Sequence, residues 1–262
     1  MRIVVCVKHV PDLQAERAFT EQGWVDRTQG DGTLNELDEN AVEAALAVAE
    51  ELGGEVTVLT VGPQDAEDAV RRGLQMGADH AVHVLDDAIA GSDAFGTAAV
   101  LAAALRALAG QEPVDLVITG MAALDGLMSV VPTLVAAELG IAQLTLAAEL
   151  TVTEGSVRVR RELDHATEVL EAPLPALVSV TDQSNQPRYP NFKGIMAARK
   201  KPVTTWSLDN LGVDPQRVGA AGARTRVVEA TPRPPRENRV LVTDDGEAGV
   251  QLAAYLVENR LV

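Results

Sequence analysis

Short, continuous apolar runs alternate along the first half of the chain with longer segments whose apolar residues recur every three or four positions. The runs Ile3 to Val7, Val56 to Val61, Ala81 to Leu85 and Val114 to Thr119 have the pattern of strands buried on both faces. The first intervening helix is predicted to begin near Asp38 as N-cap, with Leu37 and Val42 as a hydrophobic staple, and to run through Ala45, Leu46 and Ala49 to Gly53-Gly54. The next has Pro63 at its first helical position and carries Ala66, Ala69, Val70 and Leu74 to Gly77; a third, capped by Ser92, holds Ala99, Leu101, Ala102 and Leu105. The fourth has Val131, Leu134, Val135 and Leu139 at helical spacing and stops at Gly140. Four βα units at short spacing predict an α/β fold: an open, mostly parallel sheet flanked by helices with right-handed crossovers.

Two stretches depart from this rhythm. Residues 13–37 show no strong period and read as a loop, with a short hairpin through Gly23-Trp24-Val25 and Gly32-Thr33-Leu34. After Gly140, Leu144 to Glu149, Ser156 to Leu163 and Glu168 to Ala172 read as short strands of a small antiparallel insertion spanning about 144–173, one face wet because Arg158 and Arg160 alternate with valines. Pro175 to Thr181 is again a buried strand and belongs in the parallel sheet beside Val114 to Thr119. The nucleotide-binding α/β domain is then 1–187. Residues 188–202 follow as a basic loop, with five basic residues and no acidic one between Arg188 and Lys201. The proline- and glycine-rich remainder, 203–262, reads as an extended arm. Within it Val240 to Thr243 is predicted as a short strand and Ala248 to Val257 as a helix.

The segment after Val114 to Thr119 carries the candidate chemistry. Strand, glycine-bearing loop and helix start in succession bring free backbone N–H groups and the positive end of a helix dipole to one place, which suits a phosphate; an ordinary βα turn has the same outline. In an open parallel sheet the ligand crevice lies beyond the carboxyl ends of the strands where their order reverses. With the first and fourth strands as neighbours there, its rim is Cys6 and the loop after it, Asn35, Glu36, Leu37 and Asp38, Val61-Gly62, and the loop Gly120, Met121, Ala122, Ala123, Leu124, Asp125, Gly126, Leu127, Met128, Ser129 and Val130. The first three would hold base and sugar, the last the phosphate.

Composition narrows the function. The formal net charge is −16 and aromatic residues are 3% of the chain, which argues against nucleic acid as a partner. The single cysteine, Cys6, excludes an internal disulfide and a cysteine-based zinc site. There is no Gly-x-Ser-x-Gly, no P-loop and no Gly-x-Gly-x-x-Gly after a strand. No catalytic residue is therefore assigned. The first residues read as a strand and not a signal peptide, and no apolar stretch reaches membrane-span length, so a cytoplasmic protein without membrane insertion is expected.

Several segments together resemble one known family. They are Val5-Cys-Val-Lys-His-Val-Pro-Asp12, Asn35-Glu-Leu-Asp-Glu-Asn-Ala-Val-Glu-Ala-Ala45, Val61-Gly-Pro63, Gly73-Leu-Gln-Met-Gly-Ala-Asp79, the Gly120 loop with Asp125-Gly126, Arg160-Arg-Glu-Leu-Asp164, and the basic loop from Arg188 to Pro202. The chain resembles the β subunit of electron transfer flavoprotein over nearly its whole length. The resemblance implies an adenosine-nucleotide-α-hydrolase-like fold, AMP held structurally in this subunit on Cys6, Asn35 to Asp38, Val61 and the Gly120 loop, and a heterodimer whose α subunit holds the FAD. It further implies electron transport from acyl-CoA and related dehydrogenases, as in fatty acid β-oxidation, to a membrane quinone oxidoreductase. The segment from Tyr189 to Lys201 resembles the family's recognition loop, with Phe192 as its apolar anchor, Ile195 and Met196 beside it, and Arg199, Lys200 and Lys201 as a polar rim. Glu162 resembles a glutamate that contacts the α subunit's flavin domain, and the arm is expected to wrap that subunit. Two departures stand out: Asp125-Gly-Leu-Met-Ser-Val-Val-Pro132 is one residue shorter and less polar than the family's phosphate loop, and Leu13 stands where some members have an aromatic residue against the flavin. Two other readings remain open: a bifurcating subunit binding a second FAD and using NADH, and a stand-alone ATP-binding protein of the same fold.

Overall fold

The computed structural model describes residues 1–15, 18–28, 31–231, 233–235 and 241–262. In chain order the elements are β1 (Arg2–Cys6), β2 (His9–Pro11), β3 (Gly32–Leu34), α1 (Glu36–Leu52), β4 (Glu55–Val61), α2 (Glu67–Met76), β5 (His80–Val84), α3 (Ala94–Gln111), β6 (Leu116–Gly120) and α4 (Val131–Leu139). There follow β7 (Ala142–Ala147), β8 (Glu149–Val152), β9 (Ser156–Leu163), β10 (Ala166–Pro173), β11 (Ala176–Val180), α5 (Phe192–Ala198), β12 (Thr204–Trp206), α6 (Gly219–Gly222) and α7 (Ala248–Glu258).

Seven strands form one sheet in the order β12-β5-β4-β1-β6-β11-β7, and every pairing in it is parallel. The chain builds outward from β1 through β4 to β5, then returns to the other side of β1 with β6. The strand order therefore reverses between β1 and β6, as the sequence pattern predicts. Successive residues of β1 enter opposite cores. Ile3 and Val5 pack with Ala41, Val42 and Ala45 of α1 and Val70 and Leu74 of α2, whereas Val4 and Cys6 pack with Leu101, Leu105 and Leu108 of α3 and Val135 of α4. This two-sided burial is why the strand reads as an unbroken apolar run.

Several local expectations are corrected. The helix after residue 34 starts at Glu36 with Asn35 in the N-cap position, and Asp38 lies inside its first turn with its side chain buried. Three acidic residues, Glu36, Asp38 and Glu39, fill that turn and complement the helix dipole. Pro63 precedes a 3-10 turn, Gln64–Ala66, and α2 follows. Asp93, not Ser92, caps α3, accepting from the N–H groups of Phe95 and Gly96. Ser92 Oγ instead donates to the Ile89 carbonyl and accepts from Gly219 N–H.

The hairpin expected through 23–25 and 32–34 does not form: Gly32 to Leu34 pair with His9 to Pro11, and Val25 bridges Phe19. The antiparallel insertion is β8, β9 and β10 alone. Leu144 to Ala147 belongs to β7, an edge strand of the main sheet parallel to β11, in which only Leu144 and Ala147 are fully buried. The expected strand at 240–243 begins outside the described residues, and 241–243 have no regular structure.

α3 is long and apolar enough, by length and composition, to cross a membrane, which corrects the expectation that no stretch is. Its alanines raise its hydropathy, and Ala98, Leu101, Ala104, Leu105 and Leu108 are buried against the sheet. Residues 1–228 form one compact unit and 229–262 a second. The stretch 203–228, grouped with the arm by composition, stays with the first: β12 pairs with β5, and Leu208 and Val218 are buried in the α3-side core. The second unit contains α7, on which Val250, Leu252, Tyr255 and Val257 are exposed.

Candidate functional site

The crevice forms where β1 and β6 end side by side. Cys6 pairs with Thr119, so the chain segments beyond each strand emerge together. Cys6 is buried, and burial, with the charge of Asp38, pushes its thiol up to about 12. It is therefore a small hydrophobe in the crevice floor and not a thiolate.

Asn35 organises this region. By type it would cap α1, but its side chain makes no cap hydrogen bond. Fully buried, its amide crosses to the loop after β6: Nδ2 donates to the Ala122 carbonyl at 2.9 Å and Oδ1 accepts from Leu124 N–H at 3.0 Å. Its backbone N–H donates to the Lys8 carbonyl. One residue thus ties together the end of β1, the start of α1 and the loop that follows β6.

Asp38 sits beneath the same junction. Its Oδ2 accepts from Lys8 N–H at 2.8 Å. Burial pushes its carboxyl up to about 7, against hydrogen bonds from Asn35, Lys8 and Gly120 that favour the ionised form. Gly120 is required here by close approach: a Cβ on it would lie 2.4 Å from Asp38 Oδ1 and 2.8 Å from the Leu37 carbonyl. Sequence reasoning assigns Gly120 to phosphate contact; in the structure its missing side chain lets α1 close against β6.

The loop 121–130 connects β6 to α4 through a tight turn. Gly126 and Leu127 donate to the Ala123 carbonyl, closing a turn. Leu127 and Ser129 have left-handed φ values of 50° and 52°, and Val130 is right-handed. Alternation of this kind turns successive N–H groups toward one side and makes a concavity for an anion. α4 begins immediately afterwards. Leu127 and Met128 are exposed, as are Ser129 and Gly126, so the loop lies open to a ligand or partner.

Asp125 belongs to the predicted rim, but its cationic partners, Lys8 and Arg27, were missed by sequence reasoning. Asp125, on this loop, has a fully buried side chain gripped by Lys8 at 2.7 Å and Arg27 at 2.6 Å. Burial alone would raise its carboxyl, but the two cations outweigh it and hold it below the usual carboxylate range. Lys8 thus lies between two acids, Asp125 and the deeper Asp38, and burial lowers its own pKa against their pull. Lys8 and Asp125 are 117 positions apart, and no local pattern announces their pairing.

The remaining rim follows the prediction unevenly. Val61 ends β4 and is partly exposed. The Gly62 carbonyl after it is held by His83 Nε2 at 3.0 Å, giving that buried histidine a supporting role. Glu36 is exposed, and Leu37 is buried. Leu13 is exposed on the loop after β2.

The expected partner-facing residues lie on two separate elements. Glu162, on β9, pairs with Arg160 and accepts from Thr167 Oγ1. Tyr189, Phe192 and Met196 are exposed, the latter two one helical turn apart on α5, with Ile195 partly buried between them. Arg199 and Lys200 are exposed, whereas Lys201 turns inward and donates to the Ala78 carbonyl at 2.6 Å. Among the described residues no group of three or more histidine, cysteine, aspartate or glutamate side chains is placed to hold a metal.

A doubly wound sheet whose strand order reverses between β1 and β6 defines an α/β protein of the open-sheet class, in which such a reversal is the usual place for a ligand crevice. Comparison with known proteins then fixes the family. Residues 22–211 match the electron transfer flavoprotein domain. The chain is 44% identical to an electron transfer flavoprotein subunit beta of Mycobacterium leprae, covering 99% of each chain. It is 33% identical to the corresponding subunit of Megasphaera elsdenii and 33% identical to the caffeyl-CoA reductase-Etf complex subunit CarD of Acetobacterium woodii, covering the whole of both chains in each case. The chain belongs to the electron transfer flavoprotein family, as a β subunit, and is an electron-carrier subunit.

Proposed function

We propose that this β subunit holds AMP structurally in the β1–β6 crevice, joins an α subunit that bears the FAD, and docks acyl-CoA-type dehydrogenases so that electrons pass through the heterodimer to a quinone oxidoreductase. The observation that carries the nucleotide reading is the loop 121–130, whose alternating backbone handedness and neighbouring Lys8–Arg27–Asp125 cluster suit a phosphoryl group. The adenosine end would rest on Cys6, Asn35 to Asp38 and Val61. The subunit's own groups bind and orient; the flavin supplies the redox chemistry when bound. Phe192 and its neighbours would form the dehydrogenase contact, Glu162 would face the flavin domain, and α7 would meet the α subunit through its exposed apolar side chains.

A second reading is favoured by the similarity to CarD, which its name places in a caffeyl-CoA reductase complex. In that reading the same crevice takes a second FAD and the protein bifurcates electrons from NADH. Family membership leaves no ground for the stand-alone ATP-binding alternative.

The two readings separate on what heat releases from the purified heterodimer. AMP and one flavin per dimer are expected; two flavins and no AMP would establish the second reading. Gly126→Val tests the position of the phosphoryl group. A Cβ at Gly126 meets nothing within 4 Å, so the variant is expected to fold as the parent does. It is expected to purify with its nucleotide largely lost, because a side chain would stand where backbone must approach phosphate. Nucleotide retained in full would move the phosphate elsewhere.

A further inference from the structure

The segment from Arg188 to Lys201 places large apolar side chains in solvent on a base that is fixed at several points. Tyr189 is 87% and Phe192 79% exposed, and such side chains would be expected to fold back against the surface if their backbone were free. The backbone has little freedom to do so. At the start of the segment, Arg188 makes two guanidinium forks onto α1. Its Nε and Nη2 donate to the two oxygens of Glu43 at 2.7 and 3.0 Å, and its Nη1 and Nη2 donate to those of Glu50 at 2.6 and 3.1 Å. Its own N–H donates to Glu43 as well. At the far end, Arg71 of α2 donates through Nη1 to the Lys201 carbonyl at 2.7 Å, and Lys201 Nζ returns a hydrogen bond to the Ala78 carbonyl.

Between these ends α5 lies flush on α2. A Cβ at Gly194 would come within 2.8 Å of the Gln75 carbonyl, and Ala198 is buried in the α1–α2 core. Asn191 caps the helix, accepting from Gly194 N–H. Isolated surface ion pairs contribute little to stability, but bidentate arginine forks arranged as a network are the exception. A helix of seven residues would not hold its shape alone.

We propose that Arg188 and Arg71 are positioning residues for docking: two clasps that hold α5 in its bound form before a partner arrives, so that Phe192 and Met196 meet the partner without an ordering cost. The proposal rests on the reading of 188–201 as the dehydrogenase contact. Ordering cost is subtracted from affinity, and a preformed binding element avoids it. The clasps therefore act on association and leave the electron-transfer step untouched.

The test uses the FAD-loaded heterodimer, a purified acyl-CoA dehydrogenase as electron donor, and the variants Arg188→Met, Arg71→Met, Glu43→Gln with Glu50→Gln, and Phe192→Ala. Phe192→Ala is expected to raise KM for the heterodimer strongly. Arg188→Met and the double glutamine variant are each expected to raise it about tenfold at unchanged kcat, flavin content and nucleotide content, and to speed amide hydrogen exchange across residues 189–198. Arg71→Met is expected to do the same with the faster exchange concentrated at 196–201. Arg188→Lys, which keeps the charge and loses the fork, is expected to fall between parent and Arg188→Met. Unchanged KM and exchange in Arg188→Met and Arg71→Met, beside a raised KM in Phe192→Ala, would overturn the clasps alone. Unchanged KM in Phe192→Ala would overturn the docking reading, and the clasps would fall with it.

Discussion

Asn35→Ala is expected to yield a subunit that no longer retains the AMP proposed for the crevice and has lost roughly 2–4 kcal/mol of stability. The side chain is fully buried and joined to both Ala122 and Leu124. Removing it leaves a carbonyl and an N–H of the loop without their partner, at about 1–3 kcal/mol for each buried group that water cannot reach. Partial relaxation toward solvent keeps the total below the upper end of that sum. The functional loss exceeds the structural one because the loop that would cradle phosphate is positioned through this one amide. Urea denaturation and the nucleotide content of the purified heterodimer measure the two effects. Asn35→Asp sharpens the test: it keeps an acceptor for Leu124 N–H but sets a carboxylate against the Ala122 carbonyl and near buried Asp38, and is expected to be worse than alanine. A variant with full nucleotide and less than about 1 kcal/mol lost would show that the loop holds its shape unaided.

Much of this framework was legible in the sequence, and the reasons are physical. Strands buried on both faces leave unbroken apolar runs, and helices packed on one face leave a three-to-four spacing, so β1, β4, β5, β6, β11 and their helices were readable. The reversal between β1 and β6 was assumed in placing the crevice, and the sheet order bears it out. Edge strands were harder. β7 is an edge strand, only partly buried, and runs straight into β8, so it looked like part of the antiparallel insertion. β12 is Thr204-Thr-Trp206, too short to show a period, and the prolines and glycines around it resemble an arm.

The candidate site was legible as a set of segments, because the ends of neighbouring parallel strands must lie together. It was not legible as a set of contacts. Asn35 was read only as part of the rim and acts as a cross-chain tether; Asp38 looked like a cap and is a buried acid. Asp125, Lys8 and Arg27 come from three distant stretches, and only the closed fold brings their charges together. Likewise Arg188 read as one more basic residue of an exposed loop, whereas its partners are acidic residues on α1.

Asp38 gives the second large effect, in the pH dependence of stability. Its carboxyl is raised by burial from 3.8 to about 7 in the folded chain. Below about pH 4 both states are protonated at this site and it contributes nothing to the pH slope. Between about pH 4 and 7 the unfolded chain has released this proton while the folded chain keeps it, so rising pH favours unfolding by about 1.4 kcal/mol per unit. Above about pH 7 both states are ionised and the loss is complete, at roughly 4 kcal/mol as an upper bound. Asp38→Asn keeps the shape and removes the titration. The stability of the parent minus that of the variant is therefore expected to fall steadily from pH 4 to 7 and to level off beyond it; a difference flat across that range would refute the buried-acid description. The direction has a structural meaning. A carboxylate is an acceptor only, and this one faces Lys8 N–H and Gly120 N–H at the ends of β1 and β6. An ionised Asp38 thus costs stability while drawing together the two strand ends that frame the crevice, so the junction is expected to be least stable, and most tightly gathered around its acid, above neutral pH.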